Sequence, residues 1–200
     1  MAIHFQYNKT YLQQLNKSLR VRENALPTLT AKEAALRLEV KRAKEEVVTL
    51  EHRLADELEA QSAALRLWTE LPDGLLKVAS AQVLVKKIAG VKTPVLDSVA
   101  FEVAPYSVFA SNPWLPVGIE ILKQLTVLEI RLQLMKQKVT GLEYARKKTT
   151  QKVNLYEKVQ IPEYKEAISK IKRFLEDEEN LSKSSQKILK NKLAQAEAEA

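Results

Sequence analysis

The sequence predicts a fold dominated by α-helix, in which two long coiled-coil arms fold back on each other as an antiparallel pair around a small middle insert holding a β-hairpin. Three observations carry this. Apolar residues recur at alternating steps of four and three in both halves of the chain. Only 4 of the 200 residues are glycine, which suits long helices with few turns. Between the two periodic halves lie two runs rich in β-branched residues, parted by glycine and proline.

The first arm covers residues 1–71. Leu36, Val40, Ala43, Val47, Leu50 and Leu54 form a heptad seam, because a repeat of that spacing keeps one stripe facing a partner helix. Leu58 follows Leu54 by four, so the register slips by a stutter, and the seam resumes at Leu65 and Trp68. Pro27 lacks a donor N–H and its ring clashes with the carbonyl four residues back. A kink or short break is therefore expected between Ala25 and Thr30, with Thr30 and Glu33 as a capping box that restarts the helix.

Residues 72–116 form the insert. Pro72, Asp73 and Gly74 stop the first arm. "VASAQVLVKKI" and "VLDSVAFEV" read as strands, with Val95, Asp97, Val99, Phe101 and Val103 on one face. Gly90 and Pro94 in "AGVKTP" are the turn formers. A lone hairpin is marginal in water, so this one is expected to pack on a helix or another subunit.

The second arm covers residues 117–200. Its seam runs through Ile121, Leu125, Leu128, Leu132, Met135, Val139 and Leu142, weakens at Ala145 and Thr149, and recovers from Val153 to Leu175. Pro162 interrupts it. Beyond "EDEEN" the pattern fades, and "AQAEAEA" is expected to fray. At about 1.5 Å per residue the first arm reaches roughly 100 Å and residues 116–194 of the second roughly 115 Å. Arms of similar length that fold back bring both chain ends together. Two paired helices enclose little interior, so the core is expected to be thin and completed by partner chains.

Composition narrows the chemistry. The formal net charge is +7, with no cysteine and 46% apolar residues. A basic surface meets nucleic acid, anionic lipid or an acidic protein, and the sign alone does not choose among them. Without cysteine, disulfide frameworks and thiolate metal sites are excluded. The N-terminal stretch lacks the apolar core of a signal peptide, and no apolar run approaches the ~18 residues of a membrane span.

No catalytic constellation emerges. Neither a Walker loop nor GxGxxG occurs. His4 and His52 are isolated and read as surface or interface residues. Ser169 with Lys172 and Ser184 with Lys187 match S-x-x-K without the companion motifs of the enzymes that use it. Catalytic, cofactor and metal sites are expected to be none. Trp68 and Trp114 flank the insert and read as a small core where helices meet the hairpin, or as a docking platform, since Trp is common at interface hot spots. Periodicity alone fits a generic coiled-coil scaffold, or a nucleic-acid-binding helical hairpin, as well as any more specific assignment.

The stretch "ARKKTTQKVNLYEKVQIPEYKEAISKI" resembles the C-terminal helix motif of the D subunits of V-type and archaeal-type rotary ATPases. The matching residues are Thr149, Thr150, Lys152, Val153, Asn154, Val159, Ile161, Pro162 and Ile168. Gly90, Val91 and Pro94 resemble that family's hairpin motif, and Lys9, Thr10, Leu12, Leu15 and Leu19 resemble its opening. The order and spacing agree over nearly the whole chain, and the opening looks most like bacterial members. The family often carries a Leu-Lys-Leu-Lys-Arg run where this chain has "LPTLTAKEAAL" with Pro27.

The resemblance implies a rotor shaft that does no covalent chemistry and binds no nucleotide. It implies partners: the nucleotide-binding ring subunits A and B, the small F subunit of the stalk, and the socket protein of the membrane rotor. It implies no nucleic acid, no cofactor, and a cytoplasmic place peripheral to the membrane. Trp68, Gly90, Pro94, Trp114, Thr149, Thr150, Asn154 and Pro162 are the expected partner-contact residues, and Pro27 and Pro162 are expected to set a bend in the shaft.

Overall fold

The computed structural model describes residues 6–62, 65–72, 74–107 and 112–198. In chain order these form α1 (Lys9–Ala60), the short α2 (Leu65–Trp68), β1 (Leu76–Ile88), β2 (Val91–Val103), α3 (Leu115–Asn154), a π-helical turn (Leu155–Gln160) and α4 (Ile161–Ala198). The architecture is two long helical segments with a two-stranded antiparallel hairpin between them, as the periodicity requires. No described helix is long and apolar enough to cross a membrane. The chain divides into two packed units, Met1–Ala31 with Thr149–Ala200, and Lys32–Lys148.

In the first unit, both terminal segments of the chain meet. Asn8 caps α1, its side-chain oxygen accepting from the N–H of Tyr11 at 2.6 Å. Leu15 is buried among Ala167, Ile168 and Ile171, with Tyr11, Leu12, Leu19, Tyr164 and Leu175 packed around them. Pairing runs antiparallel: Tyr7 meets Phe174, whereas Glu23 binds Lys165 at 3.0 Å. Beyond Leu175 every described side chain of α4 is exposed, which matches the fading seam. The helix itself nevertheless continues to Ala198, so the fraying expected from residue 194 is not observed within the described residues.

In the second unit, Leu36, Val40 and Ala43 of α1 pack on Leu142 of α3, with Met135 and Val139 alongside. Fully burying a side chain such as Leu36 or Leu142, both at 0% exposure, stabilises by about 1.5–3 kcal/mol. Three ion pairs bridge the two helices: Lys44–Glu143 at 2.6 Å, Lys138–Glu46 at 3.5 Å and Lys136–Glu51 at 2.8 Å. Their order again is antiparallel. Val47, Leu50 and Leu54 are half-buried, while Leu58, at the stutter, is 53% exposed.

Pro27 lies inside an uninterrupted α1, so the expected break between Ala25 and Thr30 does not occur. The reason is the seam. Leu12, Leu15, Leu19, Arg22, Leu26, Leu29, Glu33 and Leu36 step by three and four without a slip, and a break would throw one half out of phase. Thr30 makes no capping box; its hydroxyl donates to the Leu26 carbonyl at 2.9 Å, bonding back within the helix. α1 ends at Ala60, and the expected resumption at Leu65 and Trp68 falls on the separate α2.

The hairpin turn is tighter than the spacing of Gly90 and Pro94 implies. Ala89 and Gly90 alone connect the strands, both with positive φ, 48° and 81°, as a two-residue hairpin turn of the primed type requires. Pro94 is no turn residue; it sits within β2 opposite Val85. The register shifts between Gln82 and Val83, whose partners are Ser98 and Leu96, leaving Asp97 as a bulge. A bulge reverses which residues face inward. Val99, Phe101 and Val103 accordingly are half-buried as expected, whereas Val95 and Asp97 are exposed and Leu96 turns inward. The turn packs its Ala89 and Val91 onto the Leu36–Leu142 cluster, so the hairpin does lean on helix.

Candidate functional site

Of the expected contact residues, the structure joins Trp68 and Trp114 directly. Their rings meet edge to face, 4.5 Å between centroids at 87°, a favoured aromatic geometry. Asn112 organises the corner: its amide donates to Glu70 at 2.9 Å, and its side-chain oxygen accepts from the Trp114 N–H at 3.1 Å at the entry to α3. The Trp114 ring covers Gly118, where an added Cβ would lie 2.7 Å from it. Leu115 and Ile119 bury beside Leu75, with Leu76 and Val103 from the open end of the hairpin. Trp68 also lines a recess with Leu58, Leu122 and Leu125.

Gly90 lies at the opposite, turn end of the hairpin, near the ammonium of Lys32. Pro94 lines an open apolar groove of about 690 Å³ between β2 and the paired helices, with Leu50, Leu96, Leu134 and Met135. Arg42, Arg131 and Lys138 stand at its edge among Glu45 and Glu46. Buried Thr93 beside it is satisfied by the Lys86 carbonyl at 2.8 Å.

Thr149, Thr150, Asn154 and Pro162 belong to the unit holding both terminal segments. Thr149 and Thr150 are half-buried. Asn154 closes α3 and is exposed, and its side chain does not cap the π turn that follows. Pro162 is exposed and directly follows the π turn, as the second residue of α4. Within the turn the Ile161 N–H bonds to the Tyr156 carbonyl, five residues back. His52 is exposed; His4 and Asp73 lie outside the described residues.

Sequence reasoning missed Arg22. It occupies a seam position of α1, three after Leu19, where an apolar residue belongs. Its Nε donates to the Gln160 side chain at 2.7 Å and its Nη1 to the Ser18 carbonyl at 2.9 Å. The guanidinium lies 4.5 Å from the centroid of Tyr164 and 6.0 Å from that of Tyr156, within cation–π range. The signal was a charge in the seam. Glu33 repeats it, with a side chain only 14% exposed and paired to Arg37 at 3.0 Å.

Among the ionisable groups, Glu143 is held below the usual carboxylate range, chiefly by its hydrogen bond from Lys44. The arrangement offers paired helices and contact surfaces: two helices held by seam and ion pairs, a hairpin braced at both ends, and one irregular turn.

Comparison with known proteins gives a consistent result. The family model for the ATP synthase D subunit matches residues 11–191. The V-type ATP synthase D subunit of Borreliella burgdorferi is 28% identical over 194 residues, spanning 92% of this chain and 93% of its own. The protein of the same name from Chlamydia pneumoniae is 26% identical over 198 residues, spanning 96% and 95%. That of Chlamydia trachomatis serovar L2 is 28% identical over 175 residues, spanning 85% and 86%.

Proposed function

The chain belongs to the ATP synthase D-subunit family, and from that premise we propose that it is the non-catalytic central rotor shaft of a V/A-type rotary ATPase. Membership makes it one component of a rotary complex that works with other ATPase subunits. In this reading it couples ATP hydrolysis or synthesis in the catalytic ring to ion transport across the membrane. Its partners are the ring subunits A and B, the F subunit of the stalk and the membrane-rotor socket. It sits on the cytoplasmic side, peripheral to the membrane.

The observation that supports this most is the family match across residues 11–191, read together with helices cross-braced within each unit. A shaft that transmits torque needs its two strands to turn as one. Seam burial at Leu36, Leu142 and Ile171 and the bridging pairs from α1 to α3 and α4 resist slippage. Each exposed pair is worth under about 1 kcal/mol, so the buried seam supplies most of that resistance.

The mechanism is steric. An asymmetric shaft presents a different face to each of the catalytic interfaces, and its rotation favours their conformations in turn. The residues 72–116 serve as the attachment region, with the Trp68–Trp114 corner, Gly90 and Pro94 as contact points. Thr149, Thr150, Asn154 and Pro162 face the ring. Pro27 and Pro162 shape the shaft, and replacing Pro162 by Ala is expected to lower the coupling ratio; unchanged coupling would count against that role.

Affinity purification of the full chain from its native membranes tests the reading. Recovery with a nucleotide-binding hexamer is expected. Retention of duplex DNA or tRNA at moderate salt, with no ATPase component recovered, would contradict it.

A further inference from the structure

Near Pro162 the seam of the second arm takes one step that is neither three nor four. Val153 to Tyr156 is three residues, Ile161 to Tyr164 is three, and Tyr164 to Ile168 is four, but Tyr156 to Ile161 is five. Five residues overshoot an α-helical turn of 3.6 by about 1.4 residues. A strictly α-helical chain would therefore rotate Ile161 and everything after it off the stripe. The π turn Leu155–Gln160 falls on this step and absorbs the additional residue, with Ile161 bonded to the Tyr156 carbonyl. Ile161, Ala167, Ile168 and Ile171 are consequently buried.

A π turn inside a long α-helix is rare and often sits at a functional site. Arg22 contacts both sides of it. Its Nε binds Gln160, the last residue of the turn, at 2.7 Å. Its guanidinium lies over Tyr164, just beyond the turn, and near Tyr156, inside it. Its Nη1 is anchored to α1 through the Ser18 carbonyl. Half-buried in an apolar seam, this guanidinium ties the Ser18 turn of α1 to the π turn through its hydrogen bonds.

We propose that Arg22 is the positioning residue that latches the π turn at Leu155–Gln160, the step through which the C-terminal helix re-enters the seam. The latch goes beyond the shaft reading and does not need it.

Hydrogen exchange read by mass spectrometry on the full chain tests this. Arg22→Met keeps the aliphatic stem and removes the donors; it is expected to speed exchange across residues 155–161 about tenfold, while Ile168–Leu175 keeps its protection. Arg22→Lys, which lacks the planar fork, is expected to behave nearly as Arg22→Met. Gln160→Met removes a single hydrogen bond and is expected to give a smaller rise in the same segment. Deleting exposed Lys158 turns the five-residue step into four, so the segment becomes regular α-helix, and there Arg22→Met should add nothing further.

Unchanged exchange across 155–161 in Arg22→Met would overturn the latch. So would an equal effect of Arg22→Met with Lys158 deleted, or a deletion variant that fails to fold. Loss of co-purification with an ATPase ring strikes the shaft reading and leaves these outcomes untouched.

Discussion

The ring of Trp114 occupies the space a side chain on Gly118 would need: a Cβ there would approach Cη2 to 2.7 Å. The ring has little freedom to move aside, since Trp68 abuts it edge-on. Gly118 is thus kept small by an aromatic contact one helical turn back, at a place where alanine would otherwise favour the helix by about 1 kcal/mol.

Gly118→Ala is therefore expected to destabilise despite its better helix propensity. Overpacking costs about 1–3 kcal/mol, leaving a net loss of about 1 kcal/mol in chemical denaturation. Tryptophan emission should shift to the red as Trp114 is displaced toward solvent. Unchanged emission with raised stability would refute the contact.

Gly90→Ala tests the hairpin turn. The added Cβ would meet only the Lys32 ammonium at 3.5 Å, an ordinary contact, so the expected cost is conformational. Holding a residue with a Cβ at φ +81° costs about 1–2 kcal/mol. The thermal midpoint should fall accordingly, and a midpoint equal to wild type would contradict the turn geometry.

Leu142→Ala removes a fully buried seam side chain. Its expected cost is about 2–5 kcal/mol, measured by urea denaturation. The same truncation at Leu58, 53% exposed at the stutter, should cost under about 1 kcal/mol. Equal losses at the two sites would mean the seam is not where the burial lies.

The Lys44–Glu143 pair predicts a pH dependence. Pairing lowers the carboxyl's folded pKa, so its contribution is present above the unfolded value of about 4.3 and disappears as pH falls through the folded value. Glu143→Gln should cost under about 1 kcal/mol at pH 7, because the side chain is 41% exposed. That difference should vanish at low pH and shrink with added salt. A difference that persists at strongly acidic pH would assign the effect to packing instead.

Much of the fold was legible because seams and strands write their periods into sequence. Leu36 to Leu54 and Ile121 to Leu142 are read directly, and each seam residue is at least half-buried. Pro27 misled because a local rule was applied ahead of the longer register: Leu26 and Leu29 keep phase across it, and seam burial outweighs one lost hydrogen bond. Pro94 misled because proline usually punctuates, yet a two-stranded hairpin is all edge and tolerates it. The bulge at Asp97 follows from register, which no single strand reveals. Among the expected contact residues, Trp68 and Trp114 read as a small core, and their rings do meet. Arg22 was passed over because a charge within a heptad invites the assumption of a solvated face.

Rotation itself tests the central claim most directly. With the catalytic ring fixed to a surface and a bead attached at the Gly90 hairpin of this chain, ATP should drive stepwise turning in one direction. A bead that stays still while the ring hydrolyses ATP would contradict the shaft role proposed for this chain.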